Sequence, residues 1–284
     1  MQIIETISKM RQLCAELRAT KGMLGFVPTM GALHEGHLSL VRRARSECPA
    51  VVASIFVNPL QFGPNEDFAK YPRTFDDDCK QLEAEGVVLL FAPPTTEMYP
   101  QDAVTRISVE GIGDRLDGAS RPGHLTGVAT VVAKLFHAVQ PDRAYFGQKD
   151  AAQLAVLRQM VKDLNFPLEI VGCPIIRDAD GLALSSRNKY LDPMERKQAL
   201  ALRRTLLVIE QWIAKGERNS ETLLRQGMSE LRMQDGVKVD YLAVVDAKTL
   251  LPVPSVERGT LIAVAAWIGK TRLIDNFLVD QNSK

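Results

Sequence analysis

Through the first 175 residues, short runs of apolar side chains alternate with stretches of helical period, and few folds accept that pattern. Leu24-Gly25-Phe26-Val27, Val51 to Val57, Val87 to Phe91, Ala144-Tyr145-Phe146 and Leu168 to Cys173 read as strands. Between them Ile7, Met10, Cys14 and Leu17 recur at helical spacing. Leu38 and Val41 open a second helix, Phe75 to Glu85 forms a third closed by Gly86, and Gly127 to Val139 and Ala151 to Asn165 follow. Strands that are apolar on both faces belong in a sheet covered on both faces. Strand–helix alternation makes that sheet parallel. Such a sheet takes its ligands beyond the carboxyl ends of the strands.

After about residue 176 the pattern changes. Asp192-Pro193-Met194-Glu195 is a helix start, with Asp at the N-cap, Pro at the first helical position and Glu at the third. That helix should run to about Lys215, and a second, capped by Ser220, to about Arg232. Val239 to Val245, Leu261 to Trp267 and Arg272 to Leu278 then read as strands. The chain is therefore expected to be an α/β domain over 1–175 followed by a smaller α+β domain over 176–284.

Charge narrows the function. Lys and Arg total 35 against 34 Asp and Glu, a net charge of +1, which speaks against general nucleic-acid binding and leaves room for one local basic cleft. No apolar run approaches the roughly 20 residues a membrane span needs. The first residues do not read as a signal peptide. Cys14, Cys48, Cys79 and Cys173 are far apart with no Cys-x-x-Cys spacing, so they are expected to be plain thiols, most of them buried, in a reducing cytoplasm.

Residues able to carry chemistry gather just after the strands. Pro28 to His37 joins a strand to a helix start, a ready anion site made of backbone N–H groups and the helix dipole. Gly31 and Gly36 have the spacing of a phosphate-binding P-loop, but His37-Leu38 stands where Lys-Ser/Thr is required. Gly111-Ile112-Gly113 is followed by Leu116, which rules out the dinucleotide fingerprint, and His34-Glu35-Gly36-His37 has the wrong spacing for a zinc protease. What remains is His34 and His37 on one face of a helix start, suited to phosphate, with Gly36 keeping the face open. Asn58 and Gln61 offer two neutral amides for a small polar or carboxylate-bearing molecule, although Asn-Pro is also a common turn. Lys149 would meet phosphate oxygens, Asp150 would bind or cap the next helix, and Gln153 projects from its first turn. Ser185, Ser186 and Arg187 make a mobile phosphate clamp or a plain polar loop. In the acidic run Asp76-Asp77-Asp78, Asp77 and Asp78 with Gln81 are a candidate Mg²⁺ site or simply N-terminal helix charge.

Taken in order, Pro-Thr-Met-Gly-Ala-Leu-His-Glu-Gly-His, Asn-Pro-Leu-Gln-Phe, Arg121-Pro122-Gly123-His124, Phe-Gly-Gln-Lys-Asp and Leu184-Ser-Ser-Arg-Asn resemble the pantoate–β-alanine ligase (pantothenate synthetase) family over essentially the whole chain. The His-x-Gly-His element alone also marks the wider nucleotidylyltransferase superfamily and its aminoacyl-tRNA synthetase relatives. The resemblance implies a Rossmann-like first domain, a smaller lid domain and a homodimer. It implies that ATP, with Mg²⁺, and (R)-pantoate give pantoyl adenylate and pyrophosphate, and that β-alanine then gives pantothenate and AMP.

It further implies that His34, His37, Lys149 and Arg187 are catalytic, with His37 the candidate acid. Met30, Gly31, Gly36, Gly147, Asp150, Ile176, Leu184, Ser185 and Ser186 would complete the ATP site. Gln61 and Gln153 would hold pantoate, and Asn58 with Gln61 would border β-alanine. Gln148, where Glu is commoner in the family, and Ala151-Ala152 depart from the pattern without touching an implied role. An adenylyltransferase acting on a phosphate ester would want further basic residues. A regulatory nucleotide binder would release no pyrophosphate.

Overall fold

A computed structural model describes residues 1–64, 66 and 68–279. The elements, in chain order, are β1 (Gln2–Ile4), α1 (Ile7–Lys21), β2 (Leu24–Thr29), α2 (Glu35–Glu47), β3 (Ala50–Ile55), α3 (Phe75–Ala84), β4 (Leu89–Phe91), the short α4 (Thr95–Met98) and α5 (Asp117–Ser120), α6 (His124–Val139), β5 (Arg143–Gly147), α7 (Ala151–Asp163), β6 (Glu169–Cys173), α8 (Pro193–Ala214), α9 (Ser220–Arg232), β7 (Val237–Asp246), β8 (Thr260–Ile268) and β9 (Thr271–Leu278). Two compact units result. One holds residues 1–147 and 156–174; the other holds 148–155 and 175 onward, so the turn after β5 and the first turn of α7 go with the second unit.

The first unit is a Rossmann-like α/β layer structure. Its six strands lie in the order β1-β4-β3-β2-β5-β6, every pair parallel. The chain runs outward from β2 through β3 to β4, then returns to place β5 on the other side of β2. That reversal is the topological switch point, and the carboxyl ends of β2 and β5 flank it. Val27, Val51, Ala53, Leu90 and Tyr145 from the strands pack with Leu40, Val41 and Leu82 from α2 and α3. α6 is buried along most of its length, as its mostly apolar run Val128–Ala133, broken only by Thr130, requires.

Two differences from the sequence reading in this sheet have a plain physical cause. β2 continues through Pro28 to Thr29. β5 is in register with β2 only at Gly25 and Phe26, so at Pro28 the strand has a ladder on the β3 side alone, where a residue without an N–H is tolerated. β1 is a three-residue edge strand paired to β4, too short for a periodic signal.

The second unit packs α8 and α9 on a three-stranded antiparallel sheet, β7-β8-β9. Leu202, Leu206 and Ile209 of α8 and Leu223 and Leu231 of α9 share a core with Val244, Ile262 and Val264. α8 starts as its sequence dictates. Asp192 accepts hydrogen bonds from the N–H groups of Met194 and Glu195, and Glu195 returns one from the Asp192 N–H. The cap of α9 is Asn219, one residue ahead of the expected Ser220. Its Oδ1 accepts the Thr222 N–H at 2.9 Å, while Ser220 is the first helical residue.

Candidate active site

The loop from Met30 to Leu33 leaves the carboxyl end of β2 with two consecutive residues at positive φ, Gly31 at 81° and Ala32 at 51°. A side chain at φ of 51° is unfavourable, and what holds it is Asp78. The Asp78 carboxylate is buried and accepts the Ala32 and Leu33 N–H groups, both at 2.9 Å, and the Thr74 hydroxyl at 3.2 Å. Thr29 steadies the other end: its Oγ1 donates to the Ser54 carbonyl and accepts the Gly31 N–H.

The candidate magnesium residues lie on α3, close to this loop. Asp78 is turned inward onto backbone amides, Asp77 is exposed and pairs with Lys80, and Gln81 donates to the Asp77 carbonyl. Among the described residues no group of three His, Cys, Asp or Glu side chains is placed to hold a metal.

The histidines open α2. His34 is the N-cap, and its Nδ1 accepts the Gly36 N–H at 3.1 Å; the His37 Nδ1 accepts the His34 N–H at 3.3 Å. The pair is a capping box built from imidazoles rather than from the usual hydroxyl and carboxylate. Both bonds use the Nδ1 lone pair, so in each neutral ring the proton is on Nε2. The rings lie 4.1 Å apart between centroids. Two Nε2–H donors and the positive end of a helix thus share one place, beyond β2 at the switch point.

Asn58 and Gln61 sit on a 3₁₀ turn beyond β3, and both are buried. Asn58 Nδ2 donates to the Gln61 Oε1 at 3.1 Å and to the Gly127 carbonyl at 3.0 Å, and Gln61 Nε2 meets the Met30 Sδ at 2.9 Å. The Gln61 carbonyl accepts from Arg121 at 3.3 Å and from the His124 Nδ1 at 2.8 Å. A carbonyl only accepts, so His124 carries its proton on Nδ1, and its Nε2 accepts from Arg121 at 2.9 Å. Burial, and then the Arg121 charge, pull the His124 pKa down to about 4, so the ring is neutral at pH 7. Glu66 grips Arg121 through both oxygens. Burial pushes its carboxyl up, but the Arg121 hydrogen bonds and charge outweigh this and hold it below its usual value.

In the second unit, Lys149 and Asp150 follow β5 and precede α7, with the Lys149 Nζ 4.0 Å from the Asp150 carboxylate. Asn276 of β9 clamps their turn: its Nδ2 donates to the Gln148 and Lys149 carbonyls at 3.0 and 2.9 Å, and its Oδ1 accepts from the Gln148 Nε2 at 3.3 Å. Gln153 is half-buried on the first turn of α7. Ile176 and Leu184 flank a short antiparallel bridge between Arg177 and Ala183, the Leu184 N–H donating to the Ile176 carbonyl at 2.9 Å. Ser185 to Tyr190 is no loose loop. Ser185 caps a 3₁₀ helix by accepting the Arg187 N–H, and Asn188 ties that helix back to the Ala183 carbonyl.

A family model described as pantoate-beta-alanine ligase matches residues 2–278. The chain belongs to the pantoate–β-alanine ligase family. It is therefore a ligase. Among its relatives, the pantothenate synthetase of Acidobacterium capsulatum is 59% identical, covering 99% of this chain and 98% of the relative. A pantothenate synthetase from Thermus thermophilus superimposes with a TM-score of 0.93 at 51% identity, covering 99% of this chain and 100% of that one. A pantoate-beta-alanine ligase from Francisella tularensis, solved with βγ-ATP and β-alanine, gives 0.79 at 36% identity over the full length of both chains.

Several residues of this ligase that hold candidate site residues in place within their own unit carried no role in the sequence reading. Asn276 lies 127 residues from the carbonyl it holds. Glu66 and Tyr99 sit in segments with no chemical motif. Arg121 and His124 marked a recognisable motif, but only the fold shows them converging on the Gln61 carbonyl.

Proposed function

We propose that this ligase joins (R)-pantoate to β-alanine at the expense of ATP, through a pantoyl adenylate. The observation that carries the reading is the pair of imidazoles capping α2 beyond β2 at the switch point of the parallel sheet. Attack of a carboxylate oxygen on the α-phosphorus brings two anions together, so donors must already be in place for the charge that develops. The Nε2–H groups of His34 and His37 and the α2 N-terminus supply them, with Lys149, Arg187, Ser185 and Ser186 as further phosphate contacts. Met30, Gly31, Gly36, Gly147, Asp150, Ile176 and Leu184 line the nucleotide. Gln61 and Gln153 hold the hydroxy acid, and Asn58 borders the amine.

In the first step the carboxylate oxygen–phosphorus bond forms as the bond from the α-phosphorus to the bridging oxygen breaks, and pyrophosphate leaves. In the second, the β-alanine nitrogen attacks the acyl carbon, loses a proton and expels AMP. This step needs an oriented amine and a good leaving group more than a further catalyst. Mg²⁺ would arrive on the triphosphate, in keeping with its habit of binding through substrate phosphates rather than an all-protein cage. We also read the ligase as a cytoplasmic homodimer. No helix among the described residues is long and apolar enough to cross a membrane, and the four cysteines are unpaired.

Pyrophosphate release measured with ATP and one acid at a time tests the reading. Pyrophosphate is expected with pantoate alone, before any β-alanine, and not with acids lacking the hydroxyl. A strict requirement for β-alanine would overturn the two-step order.

A further inference from the structure

We propose that the Tyr99 hydroxyl steadies the Asn58 amide that sets which end of the Gln61 amide faces the substrate, which makes Tyr99 a positioning residue for recognition of the hydroxy acid. The inference rests on the assignment of Gln61 to that acid. It follows from hydrogen bonds whose direction leaves no choice. The Gly127 carbonyl can only accept, so the Asn58 atom 3.0 Å from it is Nδ2. The other end of that amide, Oδ1, then takes the Leu60 N–H at 3.3 Å and the Tyr99 hydroxyl at 2.8 Å, with the phenol as donor. The remaining Asn58 N–H meets Gln61 at 3.1 Å, and only Oε1 can accept it.

The Gln61 amino group is thereby turned the other way, toward Met30. The thioether there is a weak acceptor that a carboxylate or hydroxyl oxygen displaces readily. Burial raises the Tyr99 phenol well above its usual value, so it remains a donor throughout the working range. The chain of donors starts at Tyr99 and ends as an N–H aimed at an acid oxygen. Without the hydroxyl, Asn58 Oδ1 keeps only the longer Leu60 bond; the Gly127 carbonyl still sets the sense of the amide, but Asn58 and the Gln61 amide it holds are less firmly placed.

Tyr99→Phe removes only the hydroxyl. In a pyrophosphate-release assay with saturating β-alanine, it is expected to raise the KM for pantoate about tenfold, the scale of one lost hydrogen bond. The KM for ATP should stay within about twofold. In a Gln61→Ala background the same change should add nothing, because there is no amide left to orient. If Gln61→Ala raises the pantoate KM but Tyr99→Phe does not, or if the two effects simply multiply, the relay is wrong and the role of Gln61 stands. If Gln61→Ala leaves the pantoate KM untouched, the assignment of Gln61 fails and the relay with it.

Should Tyr99→Phe fail to fold, Asn58→Asp gives a second reading. A carboxylate cannot donate to Gln61 Oε1, so the Gln61 amide reverses and turns its oxygen on the acid. The pantoate KM should then rise further than in Gln61→Ala, and an equal or smaller rise overturns the relay.

Discussion

His37 combines two roles in one ring: Nδ1 closes the cap of α2, and Nε2 is the donor assigned to phosphate. Replacing it separates them. His37→Ala should cost about 1 kcal/mol of stability through the lost cap. It should lower adenylation by about 10²–10³, the usual loss for one donor aimed at developing charge. Calorimetry and pyrophosphate release check the two halves, and a rate within a few-fold of the parent would remove His37 from the chemistry. The pairing of His34 with His37 was legible from spacing alone, but the proton positions were not, because they depend on which backbone N–H each ring caps. Gln148 is a similar case. Its departure from the commoner Glu looks neutral in sequence, yet its amide donates to Asn276, a bond that an ionised Glu could not make.

His124 makes the residue scale visible in a pH titration. Its folded pKa is about 4 against an ordinary 6.5. Between those values the unfolded chain binds the proton that the folded chain refuses, so stability falls as pH drops from 6.5 toward 4. About 1–2 kcal/mol should be lost between pH 7 and pH 5, after allowing for partial solvent access. Unfolding by urea at a series of pH values reads this, and His124→Gln should flatten that part of the profile. A parent protein equally stable at pH 7 and pH 5 would contradict the buried neutral ring.

At the scale of elements, α6 shows where propensity and packing disagree. Gly127 lies inside the helix, where Ala ordinarily gains about 1 kcal/mol. A Cβ at this position would lie 2.2 Å from the Leu60 carbonyl oxygen and 2.8 Å from the Gln61 nitrogen. These are backbone atoms with no rotamer to yield, so overpacking, about 1–3 kcal/mol, outweighs the propensity gain. Gly127→Ala should therefore lower Tm by several degrees and raise the pantoate KM, since the turn carrying Asn58 and Gln61 must move. A higher Tm would show that the turn gives way at no cost. The sequence reading started this helix at Gly127, three residues late, because His124 to Thr126 lack the apolar period. It missed β1 for want of length, and stopped β2 at Val27 because Pro28 is normally a strand breaker. The longer, strongly patterned elements, α8 with its capping box above all, were legible because local chemistry and packing agree there.

Across the whole molecule the alternation that implied a parallel sheet also pointed to the candidate site, because the strand order puts a switch point beyond β2 and β5. What the sequence could not supply was the partnership of distant residues, Asp78 with the Ala32 and Leu33 amides or Asn276 with Lys149, which exists only once the chain has folded. A molecule-wide view also bears on how the acyl group travels. Covalent catalysis needs an activated nucleophile. Burial raises the thiol pKa of Cys14 to about 12 and lifts those of Cys48, Cys79 and Cys173 as well, the reverse of the thiolate that such chemistry requires. Ser185 uses its oxygen to cap the Arg187 N–H, and His124, a neutral base in principle, spends both nitrogens on Gln61 and Arg121. The acyl group should therefore pass directly to phosphorus and then to the amine. Pantoate carrying ¹⁸O in its carboxylate should deliver one labelled oxygen to AMP and none to pyrophosphate, because the attacking oxygen stays on the α-phosphorus when the acyl–oxygen bond breaks. Mass spectrometry of the two products reads this directly. Unlabelled AMP would mean that the carboxylate does not attack the α-phosphorus, and a pantoyl group retained on the denatured protein would mean that a side chain carries the acyl group after all.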